Sequence, residues 1–273
     1  MNTIEKQFSG IIAFGDGLTD MGRWGRLTDN KYPPASVGFL DGRWTNGSVW
    51  IEHFAKELDL ELSLSNNYAT GGATTGWFNI NEPLKPVLHL DSTDQVLGLL
   101  AQVRTHLQTT PSINKKTLVV LWAGGHDIGN YLDYGFPNLE ETTPANNYAQ
   151  EFEMLYNAGA RKFLVGNMPD MGLTPMYCGS ENQQRATALC SDLNRSLSIL
   201  QDKYKSKGCE VFMIDAKSLF SDAAMNPVKY GFKNVLDAYL PYNIIDFNNP
   251  LSDPSISIPN KEKGLNPDEF MSW

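Results

Sequence analysis

The chain of 273 residues is poor in several things, and each shortage narrows what it can be. It has three cysteines, Cys178, Cys190 and Cys209, far apart and without a Cys-x-x-Cys pair. A zinc centre needs clustered thiolates or imidazoles, so no metal site is expected. Three thiols allow one internal disulfide at most, and none is expected. No apolar run approaches the roughly 18 residues of a membrane-spanning helix. Lys and Arg number 22 against 31 Asp and Glu, a net charge of −9. Nucleic-acid partners require clustered cations, so that class is excluded and the acidic balance reads as solubility. Residues 1–9 are polar and run straight into an apolar stretch, without a basic region followed by a long apolar one. No secretory leader is predicted, and localisation stays open between cytoplasm, leaderless export and a leader already removed. There is no internal repeat and no low-complexity linker.

What remains is an ordinary globular composition, 41% apolar, sufficient for one sizeable core. A single domain over 1–273 is the expectation. Four short apolar runs read as strands: Gly10–Phe14, Thr117–Ala123, Arg161–Gly166 and Glu210–Asp215. Between them lie stretches of helical periodicity: Asn46–Leu58 capped by Asn46, Gln95–Leu107, Asn146–Asn157 stopping at Gly159, and Gln183–Lys207 ended by Gly208. Strands alternating with helices predict an α/β sandwich around a parallel sheet. The Asn- and Pro-rich residues 241–267 give no assignable element.

In such sheets ligands gather beyond the carboxyl ends of the strands. Three unusual loops fall there. They are Phe14-Gly15-Asp16-Gly17-Leu18-Thr19-Asp20, Asn67-Tyr68-Ala69-Thr70-Gly71-Gly72-Ala73-Thr74, and Trp122-Ala123-Gly124-Gly125-His126-Asp127. A lone Gly-rich strand end is most often only a turn. One loop also invites comparison with the Asp-x-Asp-Gly-Thr loop of aspartate-nucleophile phosphatases, but the required first Asp is Phe14 here, and that reading fails.

Taken together, in this order and spacing, the loops resemble the signature blocks of the GDSL-type (SGNH) ester hydrolases, which include bacterial lipases, lysophospholipases and lipid acyltransferases. Gly42-Arg43-Trp44-Thr45-Asn46-Gly47-Ser48-Val49-Trp50, Gly159-Ala160-Arg161 leading to Asn167-Met168-Pro169-Asp170, and Asn226-Pro227 with Tyr230-Gly231-Phe232 extend the likeness over residues 10–273. The resemblance implies a three-layer α/β/α sandwich with a flavodoxin-like parallel sheet. It also implies a nucleophilic Ser after the Asp of the first block, at a helix start whose N–H groups help to hold an oxyanion. A Gly of the second block and an Asn of the third would complete that oxyanion hole. A His from a closing Asp-x-x-His block would act as base.

Carried over residue by residue, these roles meet departures. The nucleophile position is Gly17. Gly72 matches the second-block glycine, and His126 stands where the third block has Asn; Asp16 and Asp127 are the supporting acids. The chain stops at Phe270-Met271-Ser272-Trp273, just where Asp-x-x-His and the closing helix are expected. Thr19, His53, His89 and His106 match no catalytic position. Loss of a triad nucleophile costs on the order of 10⁶ in turnover, and oxyanion donors alone leave roughly 10³ over water. The expectation is therefore an inactive relative that keeps a lipid-, acyl- or anion-binding pocket and uses no cofactor. Two alternatives stand beside it. One is an active carboxylic-ester hydrolase, phospholipase or acyltransferase, silenced by substitution and shortening. The other is an interaction protein that self-associates or binds a protein partner at the apolar surface a missing last helix would leave.

Overall fold

Strands buried on both faces read as continuous apolar runs, and this is how β1 (Gly10–Gly15), β2 (Thr117–Trp122) and β3 (Lys162–Gly166) are placed. With β4 (Glu210–Ile214) they form one parallel sheet in the order β1-β2-β3-β4. The register aligns Gly10 with Thr117, Leu118 with Lys162, and Lys162 with Glu210. A single parallel bridge, Ala13 to Asn67, lies on the free side of β1. There the Ala13 N–H donates to the Asn66 carbonyl, the Tyr68 N–H donates to Ala13, and the Asn66 side-chain amide covers the Ile11 carbonyl at 3.1 Å. Counting this rung as the second strand gives the 2-1-3-4-5 order of a flavodoxin-like sheet. The protein is described by a computed structural model that covers residues 7–91, 95–134, 143–240 and 259–272.

The helices are α1 (Arg23–Leu27), α2 (Trp50–Glu57), α3 (Leu99–Thr109), α4 (Gly125–Gly129), α5 (Thr143–Asn157), α6 (Gln183–Ser206), α7 (Ala216–Met225) and α8 (Pro259–Glu262). Because side chains alternate along a strand, Val119, Leu121, Phe163, Val165 and Val211 point to one face, against residues of α3, α5 and α6. Phe152 of α5 stacks on Phe163 with ring centroids 4.8 Å apart, and both are buried; truncating either to Ala would cost about 3–5 kcal/mol. Ile11, Ala13, Leu118, Val120 and Leu164 face the other way, against Val49, Ile51 and Ala55 at α2. Helices on both faces make three layers, as expected, although the α2 side is thinner. A small second sheet pairs β5 (Asn234–Ala238) with β6 (Phe270–Ser272).

Several sequence boundaries move, for identifiable reasons. Helix α2 starts at Trp50 rather than Asn46. The Val49 N–H donates to Glu52 Oε2 at 2.9 Å, and Arg43 grips the same carboxylate through Nε and Nη2 at 3.0 and 2.8 Å. Asn46 is no cap; its amide donates to Asp268 Oδ1. Helix α3 begins at Leu99, because the preceding Gly98 is pressed on the 76–78 turn, where an added Cβ would lie 2.3 Å from the Gly76 carbonyl. Gly208, at φ 82°, ends α6 as its position suggested. Within 241–267, where no element is assignable from sequence, the structure forms α8, while 241–258 lie outside the described residues. All three cysteines are free, and among the described residues no helix is long and apolar enough to cross a membrane.

Candidate functional site

All three Gly-rich loops meet at the carboxyl ends of β1 and β2. Gly15, the last residue of β1, is clamped by the Gln102 side chain of α3, which accepts from its N–H and donates to its carbonyl, both at 2.9 Å. The chain then makes one tight turn: the Thr19 N–H donates to the Asp16 carbonyl at 3.0 Å, and the Leu18 N–H to Asp16 Oδ1 at 3.0 Å. Gly17 therefore sits in a single turn and not at a helix start, which corrects the expectation; the next helix, α1, opens only at Arg23. An added Cβ at Gly17 would rest 3.5 Å from the Trp44 ring, an ordinary contact.

Asp20 ties the first loop to the second. Its Oδ1 accepts from the N–H groups of Gly22 and Arg23, and its Oδ2 from the N–H of Gly71 at 2.8 Å. The Gly71 carbonyl accepts from the amides of Asn79 and Asn81. Gly72 follows at φ 83°, and a Cβ there would fall 2.4 Å from Asn81 Nδ2, so this position demands glycine. Asp127 ties the third loop to the second by accepting from Thr75. Among the described residues, no acceptor takes the N–H of Gly17 or Gly72.

Asp16, Gly17, Gly72 and His126 line one cavity of about 400 Å³. Trp44, Leu18, Ile80, Met171 and Met176 give it a mostly apolar wall, and Tyr177, bonded to Asp133, closes one side. Asp127 is fully buried behind His126 rather than in the cavity. Thr19 is locked away in the core, accepting from Trp50 Nε1. His53 and His89 are exposed, and His106 packs behind β1 with Nδ1 3.1 Å from the Tyr68 hydroxyl. None of these reaches the cavity, as expected.

Burial dominates the electrostatics. It pushes the Asp16 carboxyl up to about 7 against the pull of the Leu18 N–H, and the charge of Asp127 adds to the rise. It pushes Asp127 up to about 6 against its bonds from Thr75. It pushes the half-buried His126 imidazole down to about 4, so the ring is neutral at pH 7. No described residue hydrogen-bonds that ring. One buried acid escaped the sequence reading: Glu151 of α5, held well above the carboxylate range first by burial and then by Asp127, with neither oxygen hydrogen-bonded among the described residues. Trp44 was legible as part of a motif but not as a cavity wall, and Asp20 and Gln102 carried no signal of their clamping roles. Among the described residues, no three His, Cys, Asp or Glu side chains are grouped to hold a metal ion.

The family model described as GDSL-like lipase/acylhydrolase matches residues 11–243. The chain is 31% identical over 233 residues to an acetylesterase of Thermothelomyces thermophilus, covering 81% of this chain and 75% of that protein. It is 26% identical over 269 residues to the phosphatidylcholine-sterol acyltransferase of Aeromonas hydrophila, covering 97% and 75%. With the thermolabile hemolysin of Vibrio parahaemolyticus serotype O3:K6 (strain RIMD 2210633) it shares 28% identity over 239 residues, 87% of this chain but about half, 52%, of the hemolysin's length. Among solved structures, a G-D-S-L family lipolytic protein of Veillonella parvula DSM 2008 aligns with 83% of this chain and 87% of its own, at 14% identity and a TM-score of 0.45. With the match running through all three loops and the sheet that carries them, the chain belongs to the GDSL-like lipase/acylhydrolase family.

Proposed function

We propose that this chain is a catalytically silent family member, folded as one domain, that retains a cavity for a lipid or acyl ligand. One observation carries the reading: a glycine occupies the nucleophile position of a cavity that no described Ser, Thr, Cys or Lys side chain lines. Gly17 has nothing with which to attack. His126, in the oxyanion-Asn position, is a neutral imidazole able to donate a single hydrogen bond, and among the described residues no carboxylate bonds to it. Among the described residues nothing accepts from the Gly72 N–H, so this donor for a carbonyl oxygen survives the loss of the attacking group. The test is turnover of p-nitrophenyl esters of two to twelve carbons and of lysophosphatidylcholine. Rates at the buffer blank are expected, and a kcat above about 1 s⁻¹, the low end of ordinary enzymes, would overturn the reading.

A second reading, an interaction surface, is favoured by apolar side chains left exposed on β4, on α7 and in the chain that follows it. Phe212 of β4, Leu219 and Met225 of α7, Val228 and Leu236 are all exposed. Light scattering at high concentration tests it: a strictly monomeric chain would remove self-association.

A further inference from the structure

Three of the nine methionines fall within nine residues: Met168, Met171 and Met176. Two of their sulfurs rest on the glycines of the third loop. A Cβ added at Gly124 would lie 3.0 Å from Met168 Sδ, and one at Gly125 would lie 3.9 Å from Met171 Sδ. His126 is the next residue, and it shares the cavity wall with Met171 and Met176. The segment that carries these methionines is fastened on both sides. The Met171 N–H donates to Cys190 Sγ of α6 at 3.5 Å, and the Tyr177 hydroxyl bonds Asp133 in the π-helical turn Asn130–Tyr134 that continues α4. The imidazole and the thioethers are therefore presented from elements that are tied together.

Methionines alone would need no explanation, since their flexible side chains fill irregular apolar walls. The imidazole does need one. Among the described residues nothing hydrogen-bonds it, and it stands on the same wall as two thioethers. A ring nitrogen and two uncharged sulfurs form a soft donor set. Mg²⁺ and Ca²⁺ demand shells of oxygen, and Zn²⁺ is held by thiolate, imidazole and carboxylate. Thioethers select Cu(I) instead. Asp16 lies in the same lining, so the positive charge would enter beside a carboxyl group. Groupings of His, Cys, Asp and Glu do not reveal such a site, because two of its three donors are methionines.

We propose that His126, Met171 and Met176 form a site for a soft monovalent metal ion of the Cu(I) class. Met168, buried behind Gly124 and outside the cavity wall, is not one of the ligands. An amide at position 126 would offer a hard oxygen, whereas the imidazole offers a soft ligand, so the departure from the family pattern is a gain here. The metal site stands whether or not the cavity also takes an acyl ligand.

The probe is Ag(I), a redox-inert ion of the same class. It is titrated in chloride-free buffer at pH 7 into the reduced chain with isotope-labelled methionine methyl groups, in a Cys178→Ser background that removes the exposed thiol. One equivalent is expected to bind, shifting the methyl signals of Met171 and Met176 and leaving those of Met21 and Met225 in place. Met171→Leu, Met176→Leu and His126→Asn should each weaken binding by about 10-fold or more, since loss of a ligand's supporting partner alone costs that much. Zn²⁺ should leave the same signals unmoved. Absence of binding would overturn the proposal, as would equal shifts with Zn²⁺. So would one equivalent bound equally well by all three variants, which would assign the ion to the buried thiols Cys190 and Cys209. Melting temperatures show whether each variant is folded; where one is not, the methyl shifts of the parent chain decide.

Discussion

Asp127 takes two hydrogen bonds from one residue, Thr75: its Oδ2 accepts from the amide at 2.8 Å and its Oδ1 from the hydroxyl at 2.7 Å. The same hydroxyl accepts from the Asn147 amide at 2.9 Å, so one buried threonine joins the second loop, the third loop and α5. Thr75→Val keeps the volume but leaves Asn147 without that acceptor and Asp127 with one bond fewer. A stability loss of about 1–3 kcal/mol is expected, the cost of stranding buried polar groups. Urea denaturation measures it, and a loss below about 0.5 kcal/mol would mean that the junction does not hold the loops together.

Stability should fall as pH rises through the weakly acidic range. Asp16 at about 7, Asp127 at about 6 and Glu151, which burial holds well above the usual carboxylate range, all keep protons that the unfolded chain releases near 4. Their contribution is fully present below about pH 4 and is lost progressively toward pH 7. Glu151→Gln removes one of these proton demands. The variant should match the parent at pH 4 and exceed it increasingly toward pH 8. Thermal melts across that range read the divergence; parallel curves would refute it.

Two glycines of the same cavity should respond oppositely to alanine. Gly17 has room for a Cβ and a φ open to any residue, so Gly17→Ala should be neutral or stabilising by up to about 1 kcal/mol through the unfolded chain. Gly72 combines φ 83° with a 2.4 Å clash on Asn81, and Gly72→Ala should cost upwards of about 2 kcal/mol. Calorimetric melting of the pair compares them within one experiment.

Gly17→Ser should fold, yet a fluorophosphonate probe should not label it. A serine needs a base within reach. Of the four histidines, none has an Asp three residues before it, and His126, which lines the cavity, is neutral and has no carboxylate partner among the described residues. Stoichiometric labelling, seen by intact mass, would show that the cavity supplies a base after all.

The sheet was legible because β1, β2 and β3 are buried on both faces and leave continuous apolar runs. The convergence of Gly17, Gly72 and His126 was legible only through the spacing of whole motifs, since each loop alone looks like any turn. The Asn46 cap was misread because propensity favours Asn, whereas an Arg43–Glu52 pair nine residues apart fixes the helix start instead. Glu151 was invisible: in the sequence it is one more polar residue on a helix, and only its burial in the fold, with the charge of Asp127 within reach, makes it a raised acid. The chemistry of Gly17 was plain in one letter, but its place in a turn was not, because helix and turn starts share the same small polar residues.

The Asn66 side chain that covers the Ile11 carbonyl has a consequence for how the molecule behaves among its own kind. A sheet normally offers its outer strand as a template on which another chain can crystallise. Here residues 66–70 take that side: Asn66 and Tyr68 pair with Ala13, the Thr70 N–H donates to the Gly15 carbonyl and the Asn66 side-chain amide to that of Ile11, so the edge of β1 is covered before any foreign strand arrives. Asn66→Ala would strip that cover from Ile11 alone and leave the pairing at Ala13 and Gly15, which runs through main-chain atoms.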